Sequence, residues 1–229
     1  MIDVHTHILH EVDDGSSSLT SSVEMARALC LEGVTTAILT PHYRGSFNLK
    51  RDQLQSQFNC LKQELIKEQV PLDIYLGQEI YITKEYKANI KDGSVITLND
   101  TKFVLCEFDF KKESEISDIV YELKTMGYKP IVAHLERYSY ADLDMAFDIK
   151  ECGGYIQVNA GSIANPASGK QKKLIKNLFK EDLVDFVASD VHEFRAPCMQ
   201  KAYNYVEKKF GTERAKKVFI DNAKEILEG

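Results

Sequence analysis

The stretch Met1-Ile2-Asp3-Val4-His5-Thr6-His7-Ile8, followed by Ser21-Ser22-Val23-Glu24, then Gly33 and the run Val34 to Thr40, sets the rhythm of the whole chain. Residues 2 to 8 have the apolar and β-branched content of a strand. Ser21 with Glu24 three positions later has the form of a capping box, and Gly33 offers the left-handed stop that commonly ends a helix. Val34 to Thr40 then predicts a second strand, so these residues spell one strand–helix–strand unit.

The same rhythm extends outward. Leu54, Phe58, Leu61 and Leu65 share one helical face, and Leu72 to Leu76 predicts a third strand. Phe103 to Cys106 predicts a fourth strand, with Ile116, Ile119, Val120 and Leu123 on the helix after it. Ile131 to Ala133, Tyr155 to Val158 and Asp185 to Ala188 predict the fifth, sixth and seventh, with helices near 142 to 151 and 170 to 181, and two more helices finish the chain. Seven strands alternating with helices, without an antiparallel hairpin region, predict an α/β barrel rather than an open sheet. A chain of 229 residues, 44% hydrophobic, suits one domain over residues 1–229.

Composition narrows the function classes. A formal net charge of -6 disfavours non-specific nucleic-acid binding, although bound cations would reverse the sign of an acidic pocket. The apolar runs fall far short of the roughly 20 residues of a membrane span, and no basic segment leads into an apolar one at the start. The expectation is a cytoplasmic chain with no membrane insertion. Cys30, Cys60, Cys106, Cys152 and Cys198 are odd in number and scattered, with no Cys-x-x-Cys pair, and read as reduced core thiols.

Metal-binding residue types recur at or just past the C-terminal end of successive predicted strands: His5 and His7, His42, Glu79, Glu107, His134, and finally Asp190 and His192. In a parallel barrel those ends meet on one face, where catalytic residues gather. Asp13 and Asp14 reach the same rim from the first loop. A lone histidine after a strand is usually structural; five of six histidines at strand ends are a constellation. The period of two also places His5 and His7 on one strand face, as a chelate requires. His10, in the loop, receives no ligand role.

Imidazole and carboxylate without thiolate suit Mn²⁺, Fe²⁺ or Zn²⁺. The donors are too many for one ion. With Glu79 bridging, His5, His7 and Asp190 can serve one metal, Glu107 and His134 a second, and Asp14, His42 and His192 a third. Such a site activates water for hydrolysis, and phosphate esters are its natural target. Arg137 in His134-Leu135-Glu136-Arg137 and Arg195 in His192-Glu193-Phe194-Arg195 are the candidate phosphate-binding guanidiniums. No cysteine is followed six residues later by arginine, and no Gly-x-Gly-x-x-Gly occurs, so a cysteine-nucleophile phosphatase and a nucleotide cofactor are disfavoured. Asn159, ending the sixth strand, could face the pocket, but a loop cap is the favoured reading.

The ordered motifs His5-Thr6-His7, Val12-Asp13-Asp14-Gly15, Thr40-Pro41-His42, Gly77-Gln78-Glu79-Ile80, Ala133-His134-Leu135-Glu136-Arg137 and Ser189-Asp190-Val191-His192 resemble the polymerase and histidinol phosphatase superfamily. The Asp-Asp-Gly, Glu107 and His-Leu-Glu-Arg features resemble, more narrowly, the manganese-dependent tyrosine-protein phosphatases of bacterial capsule and exopolysaccharide clusters. The resemblance spans essentially the whole chain. It implies a distorted seven-stranded barrel with the active site at the C-terminal strand ends and a centre of three divalent ions, Mn²⁺ foremost. It further implies a phosphotyrosine substrate on a cytoplasmic bacterial tyrosine kinase with a tyrosine-rich tail. The preference for Asp14 over Asp13, and for Arg137 as the phosphate-binding arginine, rests on it as well. The expected reaction is attack of a metal-activated hydroxide on the phosphoryl group. The rivals are a histidinol-phosphate or other small-molecule phosphoesterase and a non-catalytic phosphotyrosine-binding module.

Overall fold

The computed structural model describes residues 1–45 and 47–228. Its strands are β1 (Ile2–Thr6), β2 (Thr36–Leu39), β3 (His42–Tyr43), β4 (Asp73–Leu76), β5 (Glu79–Tyr81), β6 (Phe103–Glu107), β7 (Lys129–Val132), β8 (Tyr155–Asn159) and β9 (Phe186–Ala188). They pair in the orders β1-β2-β4 and β3-β5-β6-β7-β8-β9, and each of these pairings is parallel. The fold is α/β, with a curled parallel sheet packed against helices. Beyond β9 the chain returns to β1: the Asp190 N–H donates to the His5 carbonyl at 2.9 Å and the His7 N–H to the Val191 carbonyl at 3.1 Å.

Two predicted strands end where the site begins, and each is followed by a further short strand that the sequence did not predict. The second stops at Leu39 and resumes as β3 beyond Thr40-Pro41; the third stops at Leu76 and resumes as β5 beyond Gly77-Gln78. Proline has no N–H to donate to a ladder. At Gly77 a β-carbon would sit 2.7 Å from the Leu98 side chain, and the Gln78 side-chain carbonyl accepts the Ile96 N–H at 2.9 Å. These breaks move His42 and Glu79 onto separate short strands that pair with each other.

Alternation along the strands sorts two apolar layers. Ala37, Leu39, Val104, Cys106, Ile156 and Val158 face the surrounding helices. Ile38, Phe103, Leu105, Ile131, Phe186 and Ala188 face inward with Ile2 and Val4, and Ala223 and Ile226 of the C-terminal helix complete that cluster. Along β1, the two residues between Asp3 and Thr6 face the single residue between Ala37 and Leu39, a bulge. Val4 therefore joins the inner apolar cluster while its neighbour His5 reaches Gln157.

The helices follow the predicted periodicity. Helix Arg51–Lys67 buries Leu54, Phe58, Leu61 and Leu65, the four residues expected on one face. The first helix, Leu19–Leu31, starts earlier than expected: the Ser18 hydroxyl, not that of Ser21, caps it by accepting the Ser21 N–H at 3.1 Å. In a run of consecutive serines the cap is decided by extended backbone, which Ser18 has at φ -162° and ψ 162°. A short helix, Tyr86–Lys91, was outside the sequence expectation. The five cysteines are unpaired; Cys106 is a core thiol as expected, whereas Cys30, Cys152 and Cys198 are partly buried and Cys60 is exposed. Among the described residues no helix is long and apolar enough to cross a membrane.

Candidate active site

His5 and His7 emerge from the bulged end of β1 with fixed tautomers. The His5 Nδ1–H donates to the Gln157 side-chain carbonyl at 3.1 Å and the His7 Nδ1–H to Asp13 at 2.7 Å. Both Nε2 atoms therefore present lone pairs, and they face each other 3.1 Å apart in a fully buried setting. Glu79 Oε2 lies 3.4 Å from each, and Asp190 Oδ1 lies 3.7 Å from His5 and 3.6 Å from His7. Two converging lone pairs and two carboxylates require a positive charge between them, which a divalent cation supplies.

Glu79, at the start of β5, is the hub. Its Oε1 is 2.8 Å from His134 Nε2, and its Oε2 is 2.8 Å from His42 Nδ1. The second contact lacks hydrogen-bond geometry: both atoms are buried without a hydrogen-bond partner, which suits a shared ion better than a proton. Glu107, ending β6, lies 3.8 Å from both His42 Nδ1 and His134 Nε2. On the outer side Asp14 Oδ1 is 3.4 Å from His42 Nε2 and 3.5 Å from His192 Nε2. Four sets of donors thus come within 4.8 Å of one another: His5, His7 and Asp190; His5, Glu79 and His134; His42, Glu79 and Glu107; and His7, Asp14, His42 and His192.

The geometry separates the two first-loop aspartates. Asp13 has a fully buried carboxylate spent on protein partners, accepting from His7, from the Gly15 N–H at 2.9 Å and from the His42 N–H at 2.9 Å. Asp14 is 45% exposed and turned toward two imidazoles. Gly15 keeps the loop tight, because a β-carbon there would lie 2.1 Å from the His7 carbonyl oxygen. At the far side of the cleft, His134 and Asp190 sit in left-handed backbone at φ 34° and φ 50°. Such strain in non-glycine residues persists only where the surroundings enforce it, and it is concentrated at functional sites.

Asp190 divides its two oxygens. Oδ1 faces the histidines, whereas Oδ2 accepts from Arg137 at 2.9 Å, from the Asn159 side-chain amide at 2.7 Å and from Arg195. Both expected arginines therefore reach one wall of the cleft. The Asn159 side chain makes no cap bond to the helix that follows and instead orients Asp190, which corrects its reading as a loop cap. Two contributors, Gln157 and Arg44, were missed, and Asn159 was read chiefly as a cap. Gln157 holds His5 and also accepts the His134 N–H at 2.9 Å; Asn159 accepts from Gln157 at 2.7 Å; and Arg44 contacts Glu107 at 3.3 Å. Gln157 was legible by period two from Asn159, whereas Arg44 follows a strand too short for any pattern.

Electrostatics follow from crowding four carboxylates and five imidazoles in a dry cleft. Burial and the Glu79 charge push Glu107 up to about 8, only partly offset by Arg44. Burial also opposes ionisation of Glu79 and Asp190, yet their cationic surroundings, His5 first, hold both below the usual carboxylate range. His192 is pulled down to about 4 by burial and by His7. Burial likewise lowers His134. His5 and His7 are raised by neighbouring carboxylates against the effect of burial. His10 is buried but belongs to none of the four donor sets.

A family profile described as "Capsular polysaccharide synthesis, CpsB/CapC" matches residues 1–228. The chain belongs to the CpsB/CapC family. Among relatives, the tyrosine-protein phosphatase CpsB of Streptococcus agalactiae is 34% identical over 99% of this chain and 98% of its own length. The tyrosine-protein phosphatase YwqE of Bacillus subtilis is 35% identical over 93% of this chain and 86% of its own. A solved structure from work on YwqE of Bacillus subtilis and CpsB of Streptococcus pneumoniae, described as metal-dependent tyrosine phosphatases, superposes with a TM-score of 0.88 at 34% identity, covering 94% and 90% of the two chains. A lactonase of Deinococcus radiodurans shares only the fold with this CpsB/CapC-family chain, at a TM-score of 0.64 and 11% identity.

Proposed function

We propose that this CpsB/CapC-family chain is a metal-dependent protein-tyrosine phosphatase that acts on a phosphotyrosine protein in capsule or exopolysaccharide synthesis. The observation that carries it is the pair of lone-pair nitrogens of His5 and His7 facing each other beside Glu79 and Asp190. Three divalent ions, Mn²⁺ foremost, fit the donors. His5, His7 and Asp190 would hold one; Glu107 and His134 a second; and Asp14, His42 and His192 a third, with Glu79 shared. When bound, such ions supply an activated water and charge neutralisation for attack on phosphorus.

The chain's own residues do the rest. Arg137 and Arg195, now turned to Asp190, are free to exchange that contact for phosphoryl oxygens, which match a guanidinium by paired hydrogen bonds. Gln157 and Asp13 keep His5 and His7 in the tautomer that points Nε2 inward. A phenolate leaving group, with a pKa near 10, reduces the need for a strong general acid. The substrate we favour is a bacterial tyrosine kinase with a tyrosine-rich tail, which sets the enzyme in the cytoplasm. We also read the curled sheet as a distorted seven-stranded barrel, with β2–β3 and β4–β5 each one broken strand. The hydrogen bonds from Asp190 and His7 that join its first and last strands support this.

The deciding experiment is hydrolysis of a phosphotyrosine peptide and of histidinol phosphate by metal-stripped protein, with and without Mn²⁺, while bound metal is counted. Mn²⁺-dependent preference for the peptide with about three ions bound is expected. Preference for histidinol phosphate would overturn the substrate, and absence of turnover with metal bound would overturn the enzyme.

A further inference from the structure

Phe194 is 72% exposed, a large aromatic ring left in solvent beside the charged cleft. It sits where three cavities meet. One is the cleft itself; one is lined by Ser162, Asn165 and Gln171 as well as both arginines; one lies over the Asp13–Ser17 loop. The ring does not hang from a loose loop. His192 and Arg195 exchange backbone hydrogen bonds in both directions, so Glu193 and Phe194 form the tip of a closed turn. The Glu193 carboxylate then accepts the Ser17 N–H at 3.0 Å and pins that tip to the first loop.

The ring is held among groups of the site. Its centroid is 5.1 Å from the His192 ring, and the Arg195 guanidinium lies 5.6 Å from it. Phe110, also on the cleft, differs: it is half-buried, with the Arg137 guanidinium over it at 4.6 Å and the His134 ring 5.4 Å away. Phe110 is a wall behind one arginine. Phe194 adds little to the core, yet its position is fixed by two backbone hydrogen bonds and a carboxylate, which is the arrangement of a preorganised recognition group.

Resting on the phosphatase reading above, we propose that Phe194 is the specificity-determining residue that receives the aryl ring of the phosphomonoester. With the phosphoryl group between Arg137 and Arg195, an attached ring leaves the cleft past Phe194, and the polypeptide bearing it runs into the cavity of Ser162, Asn165 and Gln171. Aromatic pairs at centroid distances of about 4.5–7 Å gain more than their buried area alone provides. An alkyl phosphate gains none of this, so the residue selects for phosphotyrosine over small aliphatic esters.

The test is calorimetric binding of phenylphosphonate and methylphosphonate to Mn²⁺-loaded wild-type, Phe194→Ala and Phe194→Trp proteins, with phosphotyrosine-peptide turnover measured alongside. Phe194→Ala is expected to weaken phenylphosphonate by roughly 2- to 12-fold, to leave methylphosphonate unchanged, and to be rescued by Phe194→Trp. Equal losses for both ligands, or none for either, would overturn the assignment while the enzyme reading stands. Wild-type protein that neither binds a phosphonate nor hydrolyses the peptide would overturn the phosphatase reading and this proposal with it.

Discussion

Ile2, Ile38, Phe103, Ile131 and Phe186 of the strands close around an apolar interior, with Ile226 of the last helix packed among them. At or just past the C-terminal ends of the strands stand His5, Glu79, Glu107, His134 and Asp190, equally buried and all ionisable. The row Phe103-Leu105-Glu107 makes the passage within a single strand. One end contributes stability through burial, on the order of 25 cal/mol per Å². The other is left with crowded imidazoles, carboxylates pushed together and two residues in left-handed backbone, held in place by the apolar end. Apolar packing and ionisable groups are separated along the strand axis, as a parallel α/β sheet with its polar groups at the strand ends allows.

That division can be broken from either side. The largest effect is expected at Glu79→Gln, which should abolish stoichiometric metal and lower phosphotyrosine turnover by more than about 10³-fold; full metal content by elemental analysis would refute its role as hub. Arg137→Ala should keep the metal and lower turnover by roughly 10²- to 10³-fold, measured in the same assay. At the apolar end Leu105→Ala should cost about 2–5 kcal/mol in urea unfolding while leaving metal stoichiometry intact in the folded protein. Loss of metal from folded Leu105→Ala would show that the two ends are not separable. Smaller changes belong to the orienting groups: Gln157→Ala and Asp13→Asn should each weaken metal affinity by roughly 10- to 100-fold, read by competition with a chelating dye. Smallest of all, cutting the exposed Arg27–Glu68 pair with Arg27→Ala should change stability by less than about 1 kcal/mol.

The strands with apolar runs and the residues that follow them were legible because period and position report on burial. His5, His7, His42, Glu79, Glu107, His134, Asp190 and His192 stand within one cleft, as their places after predicted strands implied. The breaks at Thr40-Pro41 and Gly77-Gln78 were not legible, since each fragment beyond them is only two or three residues long. Nor were the roles of Asp13, Gln157 and Asn159, which depend on which oxygen meets which imidazole, a matter of tertiary geometry that composition does not encode. Residue type and spacing alone did not separate Asp13 from Asp14, which are adjacent and chemically identical; the preference for Asp14 came from the family resemblance, and burial distinguishes the two. Cys60 faces solvent because it lies on a helix surface off the Leu54–Phe58–Leu61–Leu65 stripe.

The donors are drawn from nearly every strand, from His5 at the start to His192 far along the chain. At roughly 5–20 residues per second on a ribosome, His5 waits about 10 to 40 s before its last partner is made. The apolar layers can begin to assemble meanwhile, but the complete cluster cannot exist on a nascent or truncated chain. A fragment that ends before Asp190 therefore lacks the last two groups of the cluster, Asp190 and His192.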